Sequence, residues 1–163
     1  MEFVVAVVGD RGTGKSCWVS RITTGKYSRL HTPTTEVDRI PTRWHTSAGV
    51  LDMTLLDCPP SEVPSANAYV HLACHTVSNL VGITPPGITA LCISKLNMHD
   101  GVSAEVEQIP GFLGTFSVSS RSNSNLDLPM LSILRLLTGI ADLVFVEAPA
   151  MTPPTISIWA EAP

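Results

Sequence analysis

The stretch GDRGTGKS, Gly9 to Ser16, constrains this chain more than any other. It follows EFVVAVVG, a continuous apolar, β-branched run of the kind that forms a strand buried on both faces. It precedes CWVSRITTG, which reads as a helix ending near Gly25. The spacing fits GxxxxGK[ST], a loop whose glycines let backbone N–H groups converge on phosphate oxygens at a helix N-terminus. Gly9, Asp10, Arg11, Gly12, Thr13 and Gly14 then form the cradle. Lys15 reaches the outer phosphates, the Ser16 hydroxyl ligates Mg²⁺, and Cys17 follows in the first helical turn. A chance Gly-rich turn is the plainer alternative. A strand before it and a helix after it weigh against that reading.

The rest of the chain alternates in the same manner. VDRIPTRWH and VLDMTLLD read as two strands around the turn TSAG, with Pro41 placing the first at an edge. Ala66, Tyr69, Val70, Ala73, Val77 and Leu80 recur at helical spacing, which predicts one helix over about 65–80. ITALCIS reads as a buried strand, SAEVEQI as a short helix, FLGTFSVSS as a strand, and LDLPMLSILRLLTG as an amphipathic helix stopped by Gly139. This order predicts an α/β domain with a mostly parallel sheet flanked by helices. The 163 residues suit one domain, residues 1–147, followed by a Pro-rich tail, residues 148–163. A net charge of −4 gives no field for nucleic acid or an anionic membrane. No apolar run is long enough to span a bilayer, and no C-terminal Cys offers a lipid anchor. The four cysteines form no CxxC pair, so reduced thiols are expected.

In TLLDCPPSE, an apolar run stops at Asp57 and two prolines follow one residue later. An acid at the end of a buried strand either caps the next turn or faces a metal beside a phosphate. The phosphate loop favours the metal, giving Ser16 and Asp57 as its first candidate ligands.

With these residues in view, the sequence resembles the Ras superfamily, and within it the Ran group of nuclear-transport GTPases. The likeness spans VVGDRGTGKS, TTGKYSRLHTPTTEVDRIPTRWHTSAG, SVSSRSNSN and LVFVEAPAMTPP. The resemblance implies a P-loop G domain that binds GTP or GDP with Mg²⁺. It makes Thr34 the first-switch residue that reaches Mg²⁺ and the γ-phosphate, with Thr35 as its neighbouring alternative. It makes Lys95 and Asn97 part of the base-reading segment. It places Ser119, Ser120 and Arg121 in the loop whose N–H faces the guanine oxygen. The implied partners are nuclear transport receptors and the group's regulators. A monomer moving between nucleus and cytoplasm is implied as well.

The departures bear on mechanism. The family's second switch reads Asp-x-x-Gly-Gln, whereas here Pro60 takes the Gly position and Ser61 the Gln position. Pro60 has no N–H for the γ-phosphate. A hydrogen bond to a charged group is worth about 1.5–3 kcal/mol, so its loss weakens triphosphate sensing roughly 10- to 150-fold. Ser61 is too short to orient an attacking water as Gln does. Arg11 replaces a loop Gly, which crowds the transition state or supplies an arginine finger in cis. Asn97 stands where an Asp accepts two guanine donors. An amide offers one acceptor and one donor group, so guanine specificity is in doubt.

The stretch from Asp57 to Ser94 is short for the helix, strand and second helix of the family. The expectation is therefore a five-stranded sheet, with one strand–helix unit lost and residues 58–88 holding only the helix over about 65–80. The competing assignment makes YVHLACHTV the missing strand. The functional expectation is a regulatory nucleotide binder with weak or no hydrolysis and no confidently assigned catalytic residue. A partner-assisted GTPase and a nucleotide-free scaffold are the rivals. His71, Cys74 and His75 fall close together on a helical reading, but a three-ligand zinc set on one segment is a weak signal. Cys58 reads as a small apolar filler and not a nucleophile, since no His is placed to activate it. Trp18 and Trp44 read as core or interface residues, and Trp159 as a contact in the tail.

Overall fold

The computed structural model describes residues 2–9, 13–25, 35–60, 62–74, 86–94, 111–120, 125–146 and 151–152. The elements run β1 (Phe3–Gly9), α1 (Lys15–Thr24), β2 (Asp38–Thr46), β3 (Gly49–Asp57), β4 (Ala68–Cys74), β5 (Thr89–Ser94), β6 (Gly114–Val118), α2 (Leu128–Thr138) and β7 (Met151–Thr152). They form one sheet in the order β6-β5-β4-β1-β3-β2-β7. β1 is parallel to β3 and β4, and β5 and β6 continue the parallel set. β2 folds back antiparallel on β3 through a tight turn at Ser47 and Ala48. The expected mostly parallel α/β architecture is therefore present.

The helix expected over about 65–80 is contradicted where the chain is described. Ala68–Cys74 is a strand between β1 and β5. A central strand is buried on both faces, so its apolar residues need not alternate, and a chance helical spacing competes with a weak strand signal. Ala68, Val70 and Leu72 face one core, while Tyr69 and Ala73 are buried on the opposite face. The five-stranded count is corrected with it. Six strands of five or more residues are present among the described residues, so the strand expected to be lost is retained. YVHLACHTV, the competing assignment, contains that strand. What is missing, among the described residues between Asp57 and Ala68, is a helix. The short helix expected over SAEVEQI and the end of the 65–80 helix lie outside the described residues.

Residues 58–67 instead carry the chain from β3 across β1 to β4. That span is at the short end of the about 10–12 residues a parallel crossover needs. Side chains from its far end hold it. Asn67 bonds reciprocally to Val4: its N–H donates to the Val4 carbonyl at 2.8 Å and its Oδ1 accepts from the Val4 N–H at 2.7 Å. The Tyr69 hydroxyl donates to the Pro64 carbonyl at 2.9 Å and accepts from the Ala66 N–H at 3.1 Å. A helix would satisfy these backbone groups internally; here the Tyr69 phenol takes that task for Pro64 and Ala66, and the Val4 carbonyl does so for Asn67.

The two described helices share one face. Trp18 and Val19 of α1 and Met130, Ile133 and Leu134 of α2 join Val5, Val7, Leu55, Val70 and Cys92 in one buried cluster. Burying each large apolar side chain contributes about 1.5–3 kcal/mol. On the other face, Ala6, Val8, Leu56, Cys58 and Tyr69 pack together, with Ala66 of the crossover against them. Cys58 thus occupies the apolar-filler position expected of it. Trp18 and Trp44 are both fully buried core residues, and Trp159 lies outside the described residues.

Past α2, the chain returns along β2. The Ser47 N–H donates to the Val144 carbonyl, the Val146 N–H donates to the His45 carbonyl, and the Phe145 ring lies 5.3 Å from Trp44. Met151 and Thr152 then pair with Trp44 and Arg43. Pro41, nearer the start of β2, lies beyond this cover, where a missing N–H breaks no described ladder on that side.

Replacing Tyr69 with Phe keeps the ring and removes both crossover bonds. We expect a loss of about 1–3 kcal/mol in unfolding free energy, measured by urea titration. An unchanged midpoint would mean that the hydroxyl does not hold the crossover.

Candidate nucleotide and metal site

The sheet order creates a crevice. From β1 the neighbouring strands lead away in opposite directions, to β3 on one side and β4 on the other. Ligands of open parallel sheets bind outside the strand carboxyl ends at such a point. Gly9 ends β1 and Asp57 ends β3 at this edge. β5 and β6 end there too, at Ser94 and Val118, with Ser119 and Ser120 following.

Gly9 can be no other residue. Its φ is +146°, and a Cβ there would stand 2.3 Å from the Leu72 carbonyl oxygen of β4. β1 is thereby pressed against β4 where the loop leaves the sheet. Gly14 precedes α1 in a left-handed conformation, with no side-chain cap on the helix. At the other end Gly25, also left-handed, donates its N–H to the Arg21 carbonyl, as the expected helix stop requires.

α1 then delivers the two chemical groups of the motif. Lys15 is buried, and its ammonium donates to the Gly9 carbonyl at 2.9 Å across the mouth of the loop. The Ser16 hydroxyl donates to Asp57 Oδ2 at 2.8 Å. Thr13 is buried and Cys17 half-buried beside them. Asp57 is 7% exposed, and its second oxygen, Oδ1, is fully buried with no hydrogen-bond partner. Burial raises the Asp57 pKa; the Ser16 bond and the Lys15 charge oppose that rise, and Asp38 adds to it. Asp38 is the cross-strand partner of Asp57 in the hairpin.

The donor set fits a hard divalent cation. Hydroxyl and carboxylate oxygens suit Mg²⁺, and a cation would satisfy a buried carboxylate oxygen that protein groups leave unpaired. The thiols do not compete for this role. Burial, then Asp57 and Glu62, push Cys58 up to about 11, and burial followed by Asp57 raises Cys17. Both therefore stay protonated near neutrality. His71 stands on a strand, with its ring edge-on to Phe112 at 6.5 Å, so the helical cluster imagined with Cys74 and His75 has no helix to carry it. Among the described residues no group of three His, Cys, Asp or Glu could hold a metal.

Among the described residues 58–60 and 62, the amides after Asp57 are either used or missing. The Cys58 N–H donates to the Val7 carbonyl at 3.2 Å, and the Glu62 N–H donates to the Pro59 carbonyl at 3.2 Å. Pro59 and Pro60 have none. Every described residue of this turn is thus unable to offer a free N–H to a phosphate.

At the far end of the edge, Ser119 and Ser120 are buried after β6. Asn125, at φ 58°, donates its side-chain amide to the Ser117 carbonyl at 3.0 Å and ties the loop that follows. The structure thus brings Gly9, Thr13, Gly14, Lys15, Ser16, Cys17 and Asp57 together and sets Ser119 and Ser120 along the same edge. Asp10, Arg11, Gly12, Thr34, Lys95, Asn97, Arg121 and Ser61 lie outside the described residues. Asp38 is the charged neighbour that the motif reading missed. The hairpin pattern held the signal, because pairing outward from TSAG sets Asp38 opposite Asp57.

Fold, loop and carboxylate define a P-loop nucleotide-binding domain. The model of the Ras family matches residues 4–62, from the first strand through the turn after Asp57. Over that stretch the chain is similar to the Ras family, and the strand, loop, helix and Asp57 described above all fall within the matched residues or border them. No helix among the described residues is long and apolar enough to cross a membrane.

Replacing Gly9 with Ala adds a Cβ against the Leu72 backbone in a φ that L-residues avoid. We expect a loss of more than about 2 kcal/mol in unfolding free energy. A variant as stable as the parent would contradict the close approach of β1 and β4.

Proposed function

We propose that this protein is a Ran-like nucleotide-binding regulator that holds guanine nucleotide and Mg²⁺ but hydrolyses GTP very slowly or not at all. One observation carries the reading: Ser16 and Asp57 are joined at 2.8 Å, while the described turn after Asp57 has no free amide. The binding half of the site is thus kept and the sensing half removed.

In this reading the Gly9–Ser16 loop cradles the phosphates, and Lys15 leaves the Gly9 carbonyl to bridge their outer oxygens. Ser16, Asp57 and Thr34 hold Mg²⁺, which supplies charge neutralisation between the outer phosphates. Lys95 and Asn97 meet the base, and Ser119, Ser120 and Arg121 close over it. Ser61 cannot position a water, and Arg11 crowds the place where one would attack. The segment that follows α2 resembles that of the Ran group, and the β2–β3 hairpin is retained. Both support engagement of nuclear transport receptors by a monomer present in nucleus and cytoplasm. There the protein would compete with authentic Ran.

Pro60→Gly combined with Ser61→Gln restores an N–H and a water-orienting amide. Single-turnover hydrolysis of bound GTP should rise by at least about tenfold, the value of one charged hydrogen bond. No rise would show that the defect lies elsewhere. Rapid hydrolysis by the parent chain, alone or with an activating protein, would identify a working GTPase instead.

A further inference from the structure

Asp38 and Asp57 are directly opposed in the antiparallel β2–β3 ladder. Directly opposed residues project from the same face, with Cβ atoms about 4.5–5.5 Å apart. The Asp57 carboxylate faces Ser16 of α1. Asp38 therefore stands on that same face, one strand further out, and is solvent-exposed where Asp57 is buried. Like charges in this arrangement are destabilising. No basic side chain bonds Asp57 among its described contacts; Lys15, the nearest cation acting on it, is held by the Gly9 carbonyl. The buried Asp57 Oδ1 has no hydrogen-bond partner among the described residues. A carboxylate pair with one buried orphan oxygen is an arrangement that a divalent cation relieves.

We propose that Asp38 is a second acid of the metal site, a positioning residue that raises Mg²⁺ affinity through its charge and through waters of the ion, alongside Ser16 and Asp57. The inference rests on the metal-binding reading given above and deepens it. Asp38 serves as the solvent-side carboxylate of the site and Asp57 as the buried one. The first-switch segment before β2 thereby gains a fixed charge at its junction with the strand. A divalent ion and one carboxylate about 6 Å apart in a water-like medium attract strongly enough to change affinity by about tenfold, less at high salt.

The test uses the full chain saturated with GDP. Mn²⁺ is titrated in at low salt, free Mn²⁺ is read from its electron paramagnetic resonance signal, and thermal unfolding is followed with and without the metal. Asp38→Asn should weaken Mn²⁺ binding by about tenfold. It should also raise the metal-free melting temperature, because the cross-strand repulsion is gone, and shrink the stabilisation that metal gives. Asp38→Glu should restore most of the affinity, and Asp142→Asn, an exposed acid beyond α2, should change neither. If Asp38→Asn binds Mn²⁺ as the parent does and melts no higher without metal, the inference is overturned while the nucleotide reading stands. If the parent binds neither GDP nor Mn²⁺, both fall.

Discussion

The hydrogen bond from Ser16 to Asp57 is the contact on which the rest of the site depends. It joins the first turn of α1 to the last residue of β3, across the carboxyl end of β1. β3 is thereby brought to one point with β1 and α1, which precede it in the chain by a whole hairpin strand and more. The contact forms only because Gly9 lets β1 end against Leu72 and because Gly14 turns the chain into α1 without a side chain. The cost is a carboxylate deep in low dielectric with one oxygen unpaired, and such a group is retained where an ion can satisfy it. Structure and proposed chemistry thus share one origin.

The crossover after Asp57 answers a different demand. β4 must be reached on the opposite face from α1, over the cluster of Ala6, Val8, Leu56 and Cys58. An extended chain covers the distance in few residues but leaves backbone groups exposed to loss of partners. The Tyr69 hydroxyl and the Val4 and Val7 carbonyls supply those partners, and the prolines lower the number that need them. The prolines therefore suit a short crossover through the same missing N–H on which the proposed loss of a phosphate trigger rests.

Much of this was legible in the sequence, for identifiable reasons. GDRGTGKS between an unbroken apolar run and a helical period left little freedom for β1, the loop and α1. The hairpin was marked by TSAG between two strand-like runs, and α2 by its apolar stripe and terminal Gly139. β4 is hidden in the sequence because a strand buried on both faces loses the alternation that identifies strands, and Ala66, Tyr69, Val70 and Ala73 also fit a helical spacing. Chain length favours the same helix, because a parallel crossover ordinarily carries one and no sequence pattern marks a strap held by the Tyr69 hydroxyl. Asp38 was passed over because a motif points along the chain, whereas its significance comes from the strand beside it.

The central claim is that the binding half of the site still works. The most direct measurement is to purify the chain in Mg²⁺, denature it, and identify any released nucleotide by chromatography, beside Lys15→Ala. The account predicts guanine nucleotide from the parent chain and little or none from Lys15→Ala. A well-folded parent that releases no nucleotide, and takes up none when GDP is supplied, would contradict it.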